Sequence, residues 1–240
     1  MARLASLSSP LDGPRAGNVR YLGAASCRRK FELFYPEGFA DKAYVVSERS
    51  PKERAHLEWQ QGLGPTDFRK LLARGEYRQI VARALRVESR TSLLFSFEKM
   101  ALRDALRQPA GARLFAHELY AFLYGRGSGR RRFEDWVQAV GELPQLGARV
   151  QTWPVVTLFG FLARPDRHLF LKPRVTRTAA RAYGFDLLYQ PTPSWAVYEG
   201  LLTFGAIIRR DLERHPSLQA HDMIDVQSFI WVQGAQEYQS

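Results

Sequence analysis

Residues 152–184, TWPVVTLFGFLARPDRHLFLKPRVTRTAARAYG, decide how the rest of the chain reads. Residues 155–163 form the longest apolar run in the sequence, interrupted only by Thr157 and Gly160. A segment that is apolar all round belongs inside a core. The chain then turns at Arg164, Pro165 and Asp166, passes through the short apolar stretch 168–171, and reaches Lys172 and Pro173. Beyond Val175 the composition is that of a basic, alanine-rich helix. Buried element, turn and exposed basic helix in one stretch predict a core with a binding edge attached.

Helical signals surround this stretch. Ser47 or Ser50 precedes Pro51 at the start of a helix that Gly62 and Gly64 stop. Pro65 to Ala73 forms a short helix, and residues 76–88 space Ile80, Val81, Ala84 and Val87 helically. Further helices are expected over 92–106 and 110–124, and over a segment from Phe133 that stops near Pro144. Two more follow over 195–214 and 222–232, the last capped by Asp222. The run Ala43 to Val46 reads as a short strand or an extended packing segment. No repeat and no alternation of strand and helix is present, so the expected fold is predominantly α: a multi-helix globular protein with at most a few short strands.

The organisation expected is a tail over residues 1–18, rich in Ser, Pro and Gly, and an N-terminal helical region over 19–125. A basic linker, GRGSGRRR at 125–132, with its basic part in 126–132, precedes a C-terminal helical region over 133–240. The two helical regions read equally as one continuous domain.

Composition narrows the function. The 240 residues carry 45% hydrophobic, 12% aromatic and 25% charged side chains, the profile of a folded chain. Lys+Arg number 35 against 24 Asp+Glu, a net charge of +11 that favours polyanionic partners. Residues 194–240 hold three basic and six acidic side chains and are themselves negative, so the polyanion surface lies in the first four-fifths. Cys27 is the only cysteine, which excludes an intramolecular disulfide and a cysteine-built zinc site and fits a reducing cytosol. No uncharged apolar run reaches the length of a membrane span, and no signal-peptide pattern opens the chain. The expectation is a cytoplasmic protein of bacterial type.

The candidate nucleic-acid contacts are Arg28, Arg29 and Lys30 among the aromatics Tyr21, Phe31, Phe34 and Tyr35; Arg130, Arg131 and Arg132 in the glycine-rich stretch; and Arg174, Arg177 and Arg181. The last three stand at i, i+3 and i+7, on one helical face. Guanidinium groups suit phosphate forks, and each phosphate neutralised releases counterions. Catalytic signals are weak. None of His56, His117, His168, His215 and His221 forms an i, i+4 pair with another, and no HExxH motif occurs, so no metal and no cofactor is expected. Asp222 and Asp225 beside His221 are explained by capping and the helix dipole. Cys27 reads as an ordinary buried thiol, although Arg28 and Arg29 would lower the pKa of an exposed one. Glu98 and Lys99, in an otherwise apolar helix, read as a buried ion pair.

The phrases LLFSFEKMALRDAL and DMIDVQSFIWVQG resemble those of a family of bacterial hypothetical proteins, a likeness that brings no function with it. Residues 153–232 are similar to the second half of helix–hairpin–helix DNA glycosylase-like proteins. An apolar helix ends in FLARPDRHLFLKPRV, and a basic helix with Val175, Arg177, Ala179 and Arg181 in matching places follows it. Lys172 stands where that superfamily has its catalytic aspartate, and Leu143-Pro144-Gln145-Leu146-Gly147 is a faint echo of its glycine-rich hairpin. The resemblance implies DNA contact more than base excision. Three functions follow as expectations. The first is nucleic-acid binding. The second is an enzyme on nucleic acid with Lys172 as nucleophile or electrostatic catalyst. The third is an interaction module using Trp195, Tyr198, Phe229 and Trp231 of the acidic C-terminal segment.

Overall fold

The computed structural model describes residues 21–145 and 147–239; the tail expected over residues 1–18 lies outside them, as does Leu146 of the hairpin echo. All regular structure among the described residues is helical. In chain order the helices are α1 (Ala24–Phe34), α2 (Lys42–Tyr44), a π-helical segment (Val45–Arg49), α3 (Ser50–Leu63), α4 (Pro65–Ala73), α5 (Tyr77–Ser89) and α6 (Ser96–Arg107). These are followed by α7 (Pro109–Tyr124), α8 (Gly129–Glu142), α9 (Trp153–Ala163), α10 (Pro173–Tyr183), α11 (Trp195–Leu212) and α12 (Met223–Gly234). Proline in the first turn opens α3, α4, α7, α9 and α10, where the missing N–H costs nothing.

Two helices form the centre. Every residue of α9 is buried, and so is every residue of α12 except Trp231. Helix α9 is packed by α3, α5, α7 and α8, while α12 is packed by α1, α10, α11 and the π segment. The apolar stretch between the turn and α10 runs between these two hubs, with Leu169, Phe170 and Leu171 fully buried. An extended segment without a sheet must satisfy its amides otherwise. The Phe170 amide donates to Oε1 of Gln227 on α12, and the Leu171 amide to Oγ1 of Thr157 on α9, both at 3.0 Å. That explains two of the polar side chains buried in these helices.

Two local expectations are corrected. Residues 43–46 are helical, because Asp41 accepts from the amides of Ala43 and Tyr44 and starts a helix that continues through the π segment into α3. The stretch 129–132 is the first turn of α8, because Ser128 caps it by accepting from the Arg131 amide. One apolar cluster takes residues from both sides of 126–132, including Phe115, Phe122, Phe133 and Trp136.

Candidate nucleic-acid interface

Helix α10 lies on α12 through Val175, Thr176, Ala179, Ala180 and Tyr183, all buried. The approach is close: a Cβ on Gly234 of α12 would lie 2.0 Å from the Val175 carbonyl oxygen. The 3.6-residue period then sends Arg174, Arg177 and Arg181 outward, and all three are exposed. None of them makes an ion pair among the described residues. The Arg177 guanidinium sits 5.0 Å over the ring of Tyr189, a partner that leaves its charge uncompensated.

Helix α1 packs against α10. At the junction a Cβ on Gly23 would lie 1.7 Å from the Ala182 carbonyl oxygen, so the two backbones touch there. Tyr21 extends the contact, 5.6 Å from the ring of Tyr183 and 6.2 Å from that of Phe185. On α1, Arg29 is exposed and, among the described residues, bonded only to Ser26 of its own helix, while Lys30 is half-buried and has no ion-pair partner among them. Arg28 instead pairs with Asp211 of α11 and is unavailable. Of the aromatics near these cations, Phe31 and Tyr35 are core, so they are not stacking platforms. Cys27 is also core, and burial pushes its thiol up to about 11 against the opposing pull of Lys30 and Arg28.

The arginines of α8 behave differently from those of α10. Arg130 pairs with Glu134 at 2.9 Å and Arg131 with Asp135 at 3.7 Å, each one turn on. Arg132 turns inward and donates to the Phe122 carbonyl at 2.9 Å.

Lys172 precedes α10 and is only 5% exposed. Its Nζ donates to the Leu93 carbonyl at 2.7 Å and lies 3.4 Å from the centroid of the Phe95 ring. Burial lowers its pKa, and Lys99 adds to this while Glu98 opposes it. Glu98 itself closes the first turn of α6, accepting from the Phe95 amide at 2.9 Å and from Thr152 Oγ1 at 3.2 Å. The expected Glu98–Lys99 pair is not formed, since neighbours on a helix point about 100° apart. Lys99 reaches Glu88 instead, at 3.0 Å, and Arg103 approaches the same fully buried carboxylate at 3.5 Å. Above Lys172 the surface is apolar: Phe95 and Phe97 stack on each other and are both more than half exposed, as is Met100.

Asp222 caps α12, as its position in the sequence suggests, accepting from the Ile224 amide at 2.8 Å. Asp225 does more than sit in the first turn. Fully buried, it accepts from Tyr44, from Arg49 at 2.7 Å, and from the amide and Nδ1 of His221 at 2.8 Å each. No local pattern announced this hub, because Arg49 lies 176 residues away. Among the described residues no group of three or more His, Cys, Asp or Glu side chains is placed to hold a metal ion. Among the described residues no helix is long and apolar enough to cross a membrane. Of the C-terminal aromatics, Tyr198 and Phe229 are core, while Trp195 and Trp231 are half-buried, the latter donating to Glu237 at 2.7 Å. Compared with known proteins, the chain matches no family model, no curated protein and no solved structure.

Proposed function

We propose that the protein binds nucleic acid, duplex DNA first, through the exposed face of α10 with Arg29 and Lys30 of α1 beside it. What supports this is one observation: Arg174, Arg177 and Arg181 share a face, are exposed and have no carboxylate partner among the described residues. A row of uncompensated guanidinium groups is the electrostatic footprint of a phosphate-tracking surface. The similarity to helix–hairpin–helix DNA glycosylase-like proteins, which covers this helix, points the same way. Fluorescence anisotropy with a labelled duplex tests the reading: a Kd of about 1 μM or tighter at low salt is expected, weakening linearly in log–log form as salt rises. Absence of binding at about 50 mM salt removes it.

A second reading, chemistry on damaged DNA, draws on Lys172. An amine whose pKa is lowered by burial is a better nucleophile near neutral pH. Among the described residues only the Phe95 ring and the Leu93 carbonyl engage its Nζ directly, and Phe95 is itself exposed. Borohydride trapping on abasic duplex compares the parent with Lys172→Ala. Trapping by the parent alone sustains the reading; equal trapping, or none, ends it.

A further inference from the structure

A small cavity of about 30 Å³ lies where α7, α8 and α11 meet the turn after α9. Phe122, Trp195, Tyr198 and Leu202 give it apolar or aromatic walls, and Arg132, Arg167 and His168 give it polar ones. Gly129, the first residue of α8, closes one side. Two buried donors have no partner among the described residues: Nε2 of His168 and Nε of Arg132. His168 is only 7% exposed.

The proton on His168 is assignable. Its Nδ1 lies 2.8 Å from the Tyr198 hydroxyl. Among the described residues Nδ1 is the only hydrogen-bond partner of that hydroxyl, which can donate its proton there. The reverse arrangement leaves a buried hydroxyl proton with no acceptor among the described residues. The neutral ring therefore carries its hydrogen on Nε2 and offers an N–H to the cavity. Arg132 offers a second N–H and a full charge.

Charge around the cavity is also unbalanced. Arg164 and Arg167 share Asp166, at 3.0 Å each. Arg132, half-buried, has only the Phe122 carbonyl among the described residues. Three guanidinium groups thus face one carboxylate. Converging donors with a net positive charge suit an acceptor-only ligand, whereas a water molecule would also have to place two protons. A cavity of about 30 Å³ suits a monatomic anion better than sulfate, phosphate or a carboxylate. We propose that this cavity is a binding site for one monatomic anion of chloride size, held between His168 Nε2–H and Arg132 Nε–H. The anion would lock the first turn of α8 to the turn after α9 by neutralising Arg132.

Bromide is the probe. In crystals of the intact protein grown in sodium bromide, an anomalous peak is expected between His168 and Arg132. In solution, replacing gluconate by chloride or bromide at constant ionic strength should raise Tm saturably, and sulfate should not. Arg132→Gln should weaken the half-saturating bromide concentration at least about ten-fold, the equivalent of one charge-assisted hydrogen bond. Should that variant not fold, His168→Gln serves, since it retains the arginine and alters one donor. Ordered water without anomalous signal, or the same Tm in gluconate, chloride and sulfate, overturns the assignment.

Discussion

Helices α8 and α10 both open on basic sequence, yet they put their arginines to opposite uses. Four residues after Arg130 and Arg131 stand Glu134 and Asp135, and the pairs form. Four residues after Arg174, Arg177 and Arg181 stand Thr178, a second arginine and Phe185, so no acid on that face can answer them. An i, i+4 pair contributes only a few tenths of a kcal/mol to a helix, but it removes a cation from the long-range field. The difference teaches that the positive potential of this surface follows from where acids are missing rather than from where arginines are dense. Arg49 is the extreme of the paired kind, with Asp222, Asp225 and Glu53 around one guanidinium.

The contrast breaks most sharply at Arg49. Replacing it with methionine strands the fully buried Asp225 without its cation. Chemical denaturation should show a loss of about 3–5 kcal/mol, while the salt slope of any residual DNA binding stays unchanged. At α10 the prediction is reversed. The triple variant Arg174→Ala, Arg177→Ala, Arg181→Ala should weaken duplex binding about 100-fold at low salt and flatten the log–log salt slope by about three, one per phosphate contact. Its unfolding free energy should move by no more than about 0.5 kcal/mol.

His168 sharpens the comparison by titration. Burial, reinforced by Arg132, Arg164 and Arg167 and opposed by Asp166, lowers its pKa to about 3 from an ordinary 6.5. The unfolded chain therefore takes up a proton between those values and the folded one does not. Stability is unaffected above about pH 6.5 and falls by up to about 1.4 kcal/mol per pH unit between there and pH 3. His168→Gln should remove that part of the acid sensitivity, read from denaturation midpoints across the window. Least affected should be Arg130→Ala with Arg131→Ala, both exposed ion pairs. Stability should change by under about 1 kcal/mol, and duplex affinity by less than for any single arginine of α10.

Much of this was legible before the fold was known. The apolar run at 155–163 is a central helix, Pro65–Ala73 begins and ends where the sequence placed it, and the 174/177/181 spacing does define an exposed face. The pairing of α8 was legible too, in the acids at 134 and 135. It was hidden by reading the glycines as a loop, although Ser128 supplies an N-cap. What local sequence does not carry is partnership at a distance. Asp211 takes Arg28, Glu88 takes Lys99, and Asp225 takes Arg49 across separations that no helical period encodes. The donors at His168 and Arg132 were likewise invisible, since their cavity is made by four separate parts of the chain.

The π segment between α2 and α3 carries a last consequence, and it concerns chain length. In an α-helix, residues five apart point about 140° away from each other. In a π turn the hydrogen bonds run to the fifth residue and bring such a pair onto one side. Tyr44 and Arg49 are five apart, and both reach Asp225. The segment thus behaves as a single-residue insertion that the helix has absorbed and put to use. Excising Val46, which is 72% exposed and binds nothing, would restore uninterrupted winding from Lys42 onward. Tyr44 and Arg49 would then stand four residues apart, about 40° from each other, and would both stay on the Asp225 side. At this position the helix can lose a residue of length, and exchanging Tyr44 or Arg49 should matter more than removing the idle residue between them.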